Sequence, residues 1–180
     1  MEEFKAALAA EFAPFGALSE DQLSLLARHY ELVLRWNKKI NLTRITTLQD
    51  AVEYHYCESL YLARSLPARP VRIIDIGSGA GFPGIPVAIY RPDCSVDLVE
   101  AHQRKAVFLK EAARHLCLDN VRVVANRADT VADSYDWMIS RAVKPDDVLR
   151  LNLAPNILIL GSSGAKLPWG HGRALFHVKR

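Results

Sequence analysis

Four glycines crowd the segment Asp75-Ile76-Gly77-Ser78-Gly79-Ala80-Gly81-Phe82-Pro83-Gly84, at the end of the short apolar run Val71-Arg72-Ile73-Ile74-Asp75-Ile76. An apolar run of that length, closed by glycines, suits a buried strand. Glycine admits positive φ and lets a ligand approach the backbone closely. The segment therefore reads as a strand, a tight loop and then a helix that Pro83 can begin. A turn with a purely structural role has little use for so many glycines. In an open parallel sheet, a loop of this kind lines the crevice where nucleotide-like ligands sit.

The rest of the chain agrees with such a sheet. Further short apolar runs lie at Ser95–Glu100, Val121–Val124, Trp137–Ser140 and Asn156–Leu160, with helical stretches between them, clearest from Gln103 to His115. Strands alternating with helices imply an α/β, doubly wound, mostly parallel sheet covered on both faces. The first 66 residues read differently. Ser19-Glu20-Asp21-Gln22 has the form of a capping box, and Leu23, Leu26, Tyr30, Val33 and Leu34 recur behind it at helical spacing. Thr47 starts a second helical pattern, and Pro67-Ala68-Arg69-Pro70 breaks the chain. The expectation is an N-terminal helical appendage, 1–66, packed on a ligand-binding domain, 67–180.

Composition narrows the classes. Half of the 180 residues are hydrophobic and about a quarter are charged, a globular mixture. Residues 1–66 carry 7 basic and 9 acidic side chains, and residues 67–180 carry 16 and 11, so the second part is mildly basic. That suits a nucleic-acid partner without requiring one. Cys57, Cys94 and Cys117 show neither pairing nor zinc spacing, which points to a reducing cytoplasm and no metal. The N-terminus has no apolar signal core and no stretch approaches membrane-spanning length, so no membrane role is expected.

Two readings of the glycine loop compete. Gly79 to Gly84 matches the dinucleotide pattern G-x-G-x-x-G, a short and weak match. The larger frame Asp75-x-Gly77-x-Gly79-x-Gly81 resembles the first motif of the class I methyltransferases, whose Rossmann-like fold binds S-adenosylmethionine. It also gives Gly77, at the strand end, a purpose. Asp75, Gly77, Gly79 and Gly81 are then cofactor-site candidates. Glu100 ends the second strand, 19 residues after Gly81, where an acid can accept from both ribose hydroxyls of a nucleoside. Ala128-Asp129 follows the third strand beside the same crevice, where the Asp carboxylate can meet an adenine amino group or simply cap a helix.

The absent motifs matter as well. No Asn-Pro-Pro-Tyr type motif serves amino-group methylation, and no Cys after the fourth strand offers covalent attack on a pyrimidine. The fourth strand ends in Ser140-Arg141-Ala142, and an Arg cannot act as a base. An acceptor with a free lone pair, such as guanine N7, needs none.

These segments together resemble the bacterial 16S ribosomal RNA guanine-N7 methyltransferases, the glucose-inhibited division protein B family. The match is carried by Trp36-Asn37-Lys38-Lys39-Ile40-Asn41-Leu42-Thr43, by His55 with Glu58-Ser59, by Asp75 through Pro86 and by Ser140-Arg141-Ala142, with support from Arg104-Lys105 and Phe108-Leu109. The resemblance implies cofactor contacts at Gly77, Phe82, Ala128, Asp129 and Arg141, ribose binding by Glu100, and a place for Arg141 at the reacting centre. It implies 16S rRNA as partner, within the 30S subunit or its precursor, and a monomeric enzyme. Lys38, Lys39 and Asn41 on the polar turn are RNA-contact candidates. His55 either reaches substrate or packs against Tyr54 and Tyr56. The tail departs from the family: Leu160-Gly161 stands where a Lys-Gly is usual, so a closing hairpin over 161–180 is not secured. Other readings stay open: a class I methyltransferase with another substrate, a cofactor-binding module without turnover, and, last, an NAD-dependent oxidoreductase, for which no Tyr-x-x-x-Lys is present.

Overall fold

The computed structural model describes residues 1–170 and 172–179. Helix α1 (Glu2–Phe12) begins on two acids, which complement a helix N-terminus, and buries Phe4, Leu8 and Phe12 at four-residue spacing. Helix α2 (Glu20–Asn37) opens on the capping box: Ser19 Oγ accepts the Gln22 N–H at 3.1 Å, and Gln22 Oε1 accepts the Ser19 N–H at 3.0 Å. Thr47 caps the next segment by accepting the Asp50 N–H at 3.1 Å. This segment is not the uniform α-helix that its apolar spacing suggests. It runs from α3 (Leu48–Asp50) through a π-helical stretch, Ala51–Cys57, into α4 (Glu58–Arg64).

The sheet has seven strands: β1 (Arg72–Ile76), β2 (Ser95–Val99), β3 (Val121–Val124), β4 (Trp137–Arg141), β5 (Asn156–Gly161), β6 (Ala165–Lys166) and β7 (Ala174–Lys179). Their order is β3-β2-β1-β4-β5-β7-β6. The first five run parallel, and β7 pairs antiparallel with β5 from Asn156↔Lys179 to Gly161↔Ala174. The tail therefore does close the sheet with a hairpin. Helices α5 (Gly84–Tyr90), α6 (Gln103–His115) and α7 (Pro145–Arg150) fill the connections. Strand order reverses between β1 and β4, and a crevice opens outside their carboxyl ends.

The two faces are covered unequally. On one, Ile73, Val96, Leu98, Ile139 and Leu158 join a single apolar cluster with α1, α2, α4, α5 and α6, so residues 1–66 share the main core of the sheet. On the other, Ile74, Ile76, Val99, Met138, Ile157 and Ile159 meet chiefly Val148 of α7 and connecting segments. Among the described residues, no helix is long and apolar enough to cross a membrane.

Close approach at the start of α5 explains one loop glycine. A Cβ on Gly84 would lie 2.3 Å from Leu98 Cδ2 and 2.6 Å from Asp75 Oδ2. Gly84→Ala is expected to cost about 1–3 kcal/mol through overpacking. Gly161→Ala, where a Cβ meets nothing within 4 Å, is expected to stay within roughly 0.5 kcal/mol of the parent. Urea midpoints of the two variants check the contrast.

Candidate active site

The loop after β1 is tied at several points. Gly77 and Ser78 donate their N–H groups to Val99 O at 3.0 and 3.1 Å, Ser78 Oγ donates to Asp75 O at 3.1 Å, and Gly84 N–H reaches Asp75 Oδ2 at 3.1 Å. Gly77, Gly79 and Gly81 all have positive φ. At Gly79 (φ 56) the position of a Cβ meets nothing closer than Gly77 O at 3.8 Å, so the backbone there faces open space. A ligand can come against it where any side chain would intervene.

Glu100 stands opposite. Its Oε2 accepts the Gly79 N–H at 2.9 Å and its Oε1 accepts the His102 N–H at 2.8 Å. Each oxygen keeps a lone pair for a further donor. The crevice between them, about 220 Å³, is also lined by Thr43, Phe82, Lys105 and Arg141. It continues past Val143 into a wider cleft of about 590 Å³ that reaches Ala128 and Asp129, on a 3₁₀ turn spanning Ala128–Thr130. Asp129 there pairs with Arg127 at 2.6 Å, which holds its carboxyl below the usual range.

Arg141 ends β4. Its Nη1 donates to Tyr54 O at 2.6 Å and faces His55 Nδ1 at 2.8 Å, and its guanidinium lies 5.0 Å from the centre of the Phe82 ring. Burial pushes it down to about 10, which still leaves it charged near neutrality. Ala142 follows with φ 62, left-handed backbone that a non-glycine residue adopts at some cost. Val143 then covers Gly77, whose absent Cβ would lie 2.7 Å from Val143 Cγ2.

Several expectations change. Asp75 does not line the crevice; it is fully buried and braces the loop through Gly84, with burial raising its carboxyl to about 7. His55 packs inside the protein, the second of its two expected places. It is 4% exposed, stacks on Phe82 at 4.3 Å and bonds Thr43 Oγ1 at 2.8 Å. Because Arg141 donates to its Nδ1, its proton is assigned to Nε2. Gly81 serves packing, since a Cβ there would fall 2.5 Å from Ile85 Cδ1 and 3.2 Å from His29 Nε2, whereas Gly77 does line the crevice. Lys38, Lys39 and Asn41 are exposed as expected. Only Lys39 and Asn41 of these line a groove of about 280 Å³, which they share with His102, Arg104 and Lys105. No carboxylate lines this groove, and Lys105 lines the crevice as well.

Sequence reasoning missed the ties from the appendage. His29 of α2 is fully buried between Ala80 O and the Tyr56 hydroxyl, each at 3.1 Å. Asn37 accepts the Leu42 and Thr43 N–H groups at 2.8 and 3.0 Å, which sets Thr43 against His55. Glu58, with no exposure, accepts from Arg173 at 2.5 and 2.7 Å, joining α4 to the segment before β7. The one local signal was a histidine in the apolar stripe of α2.

These buried groups predict the response to acid. Burial pushes His29 down to about 3 and, together with the nearby Arg141 charge, His55 down to about 2. The unfolded chain protonates both near pH 6.5, so their contribution to stability is lost as pH falls below that value. Asp75, raised to about 7, acts oppositely, with stability lost as pH rises from about 4 towards 7. Two rings outweigh one carboxyl between about pH 6 and 4.5, a net slope of roughly 1.4 kcal/mol per pH unit from these groups. His29→Gln keeps a donor for Ala80 O but removes one ring. It is expected to flatten that slope in urea titrations at stepped pH.

The family model described as rRNA small subunit methyltransferase G matches residues 22–158. A Chromobacterium violaceum protein named ribosomal RNA small subunit methyltransferase G is 41% identical over 127 residues, covering 69% of this chain and 60% of that protein. A Roseiflexus castenholzii protein of the same name is 41% identical over 132 residues, covering 70% and 56%. The chain thus spans less than two thirds of the length of these curated relatives. Among solved structures, coclaurine N-methyltransferase bound to N-methylheliamine and SAH is similar with a TM-score of 0.54 at 17% identity, covering 88% of this chain and 58% of that one. A SAM dependent methyltransferase from Aquifex aeolicus reaches 0.51 at 15% identity, covering 67% and 71%. At such identities these likenesses bear on the fold alone.

Proposed function

The chain belongs to the rRNA small subunit methyltransferase G family, and we propose that it transfers a methyl group from S-adenosylmethionine to guanine N7 in 16S ribosomal RNA, presented in the 30S subunit or its precursor in the cytoplasm. One observation carries the donor site: the open backbone at Gly79 lies against Glu100, whose two oxygens are fixed by amides yet keep acceptor capacity. Glu100 would hold the ribose hydroxyls. The cleft beside Ala128 would take the adenine, and Arg141 would face the carboxylate of the methionine end. When bound, the donor supplies a methyl group made electrophilic by its sulfonium.

The residues around the crevice favour an acceptor that needs no base. Glu100 is engaged by two amides, and Lys105 and Arg141 are cations. His55 is neutral, but both of its nitrogens are occupied, by Thr43 and Arg141. A guanine N7 lone pair attacks without losing a proton, so the chain has only to place the two partners in line and exclude water. Arg141 acts here as a cationic wall held by Tyr54 and His55, and Lys39, Arg104 and Lys105 offer phosphate contacts beside it.

Two sets of variants test the reading. Glu100→Ala should weaken S-adenosylmethionine binding by on the order of 10- to 150-fold, the range for hydrogen bonds to a charged acceptor. Gly79→Val should abolish binding while circular dichroism stays at the parent level. Unchanged calorimetric affinities in folded variants would remove this crevice as the donor site. For RNA, Lys39→Ala with Arg104→Ala should lower the log–log salt slope of 30S binding by about one unit per contact, leaving donor affinity unchanged. Mass analysis of 16S rRNA after single-turnover reaction reads the product, and methyl groups found anywhere but guanine N7 would overturn the assignment.

A further inference from the structure

Val143 lines three clefts at the carboxyl ends of the parallel strands. Two are the halves of the donor crevice. The third, about 390 Å³, lies between the start of α7 and the end of β5. Leu149, Ile159 and Phe176 give it apolar walls, and Asp146, Ser162 and Ser163 supply polar atoms. It shares Ala142 as well as Val143 with the loop side of the crevice, so the two clefts have a wall in common. The left-handed backbone at Ala142 falls on this shared wall, at the kind of place where strain accompanies a binding site. Asp146 is exposed and pairs with none of the described cations, whereas its neighbour Asp147 faces Arg150 at 4.0 Å.

We propose that this cleft receives the acceptor guanine, turned out of its stack, and that Asp146 is its specificity-determining residue. The inference rests on the methyl-transfer reading. A base taken into a protein pocket is held between apolar or aromatic side chains and read along its Watson–Crick edge. Guanine presents two adjacent donors there, N1–H and the exocyclic amino group, which a carboxylate accepts together as it accepts a guanidinium fork. N7 lies on the opposite side of the ring. With the Watson–Crick edge against Asp146, N7 is left free to face the wall at Ala142 and the donor beyond it. Adenine and the pyrimidines offer no such pair of donors, so the same carboxylate excludes them.

Ligand-observed magnetic resonance titrations of guanosine, inosine and adenosine monophosphates against the full chain, saturated with S-adenosylhomocysteine, test this directly. Inosine lacks the exocyclic amino group and is otherwise guanine. The parent chain should bind guanosine monophosphate on the order of 10-fold or more tightly than inosine monophosphate, the worth of one hydrogen bond to a charged acceptor. Asp146→Asn should bring the two to near equality while S-adenosylhomocysteine affinity stays unchanged. Equal binding of the three nucleotides by the parent chain, binding of none, or a guanine preference that survives Asp146→Asn would each overturn the proposal. If S-adenosylhomocysteine does not bind, the same titrations run without it. A guanine preference that then depends on Asp146 keeps the pocket while the methyl-transfer reading fails. Methylated 16S rRNA alongside nucleotides bound without preference does the reverse.

Discussion

A buried carboxyl governs the geometry of the site. Asp75, one residue before the end of β1, has no exposed surface, and its Oδ2 takes the first N–H of α5 from Gly84. Its other oxygen, Oδ1, has no hydrogen-bond partner among the described residues. An unpaired buried acceptor costs about 1–3 kcal/mol, and such costs are tolerated where function requires them. Here the carboxyl fixes both ends of the glycine loop at once: the strand that delivers it and the helix that follows. Only the middle of the loop, around Gly79, is left facing open space. The open stretch of backbone is thus placed before any ligand arrives.

The helical appendage belongs to this arrangement as much as the sheet does. Its apolar residues join the main core, and its polar groups reach the loop and strand ends through His29, Thr43 and His55. These polar contacts cross a densely packed interior, where each broken pair leaves a buried group unsatisfied. Removing the appendage would strip the loop of its support at Ala80 and free the Arg141 side chain from Tyr54. The basic groove also forms where the appendage turn meets α6, so RNA would contact both parts of the chain together.

What the sequence made legible was local in the chain. The glycine loop, the acid at the end of β2, the capping box of α2 and the five parallel strands each rest on residues close together, and the structure has all of them. Contacts made across long separations were hidden. His55 looked available to substrate because its burial comes from Phe82 and Arg141, the latter 86 positions away. The closing hairpin was doubtful because the glycines of the tail mask its strands, and Arg173 finds Glu58 across 115 positions. The π-helical winding escaped because apolar spacing marks a helix but does not fix its hydrogen-bond register. Asp75 was assigned to the ligand because its neighbours in the motif face the crevice, whereas alternation along the strand turns its side chain inward.

The wide turn at Ala51–Cys57 leaves one further constraint. A π-helical turn is in effect an α-helix that has absorbed an extra residue. Removing a single residue from this stretch would let regular winding return, at little local cost. Regular winding over one residue fewer turns through almost the same angle, so α4 would keep its phase and Glu58 its reach to Arg173. Tyr54 and His55 lie inside the wide turn, and their places against Arg141 depend on it. Among homologous chains, a one-residue deletion here should therefore spare the helix beyond it and fall instead on the contact between the appendage and the end of β4.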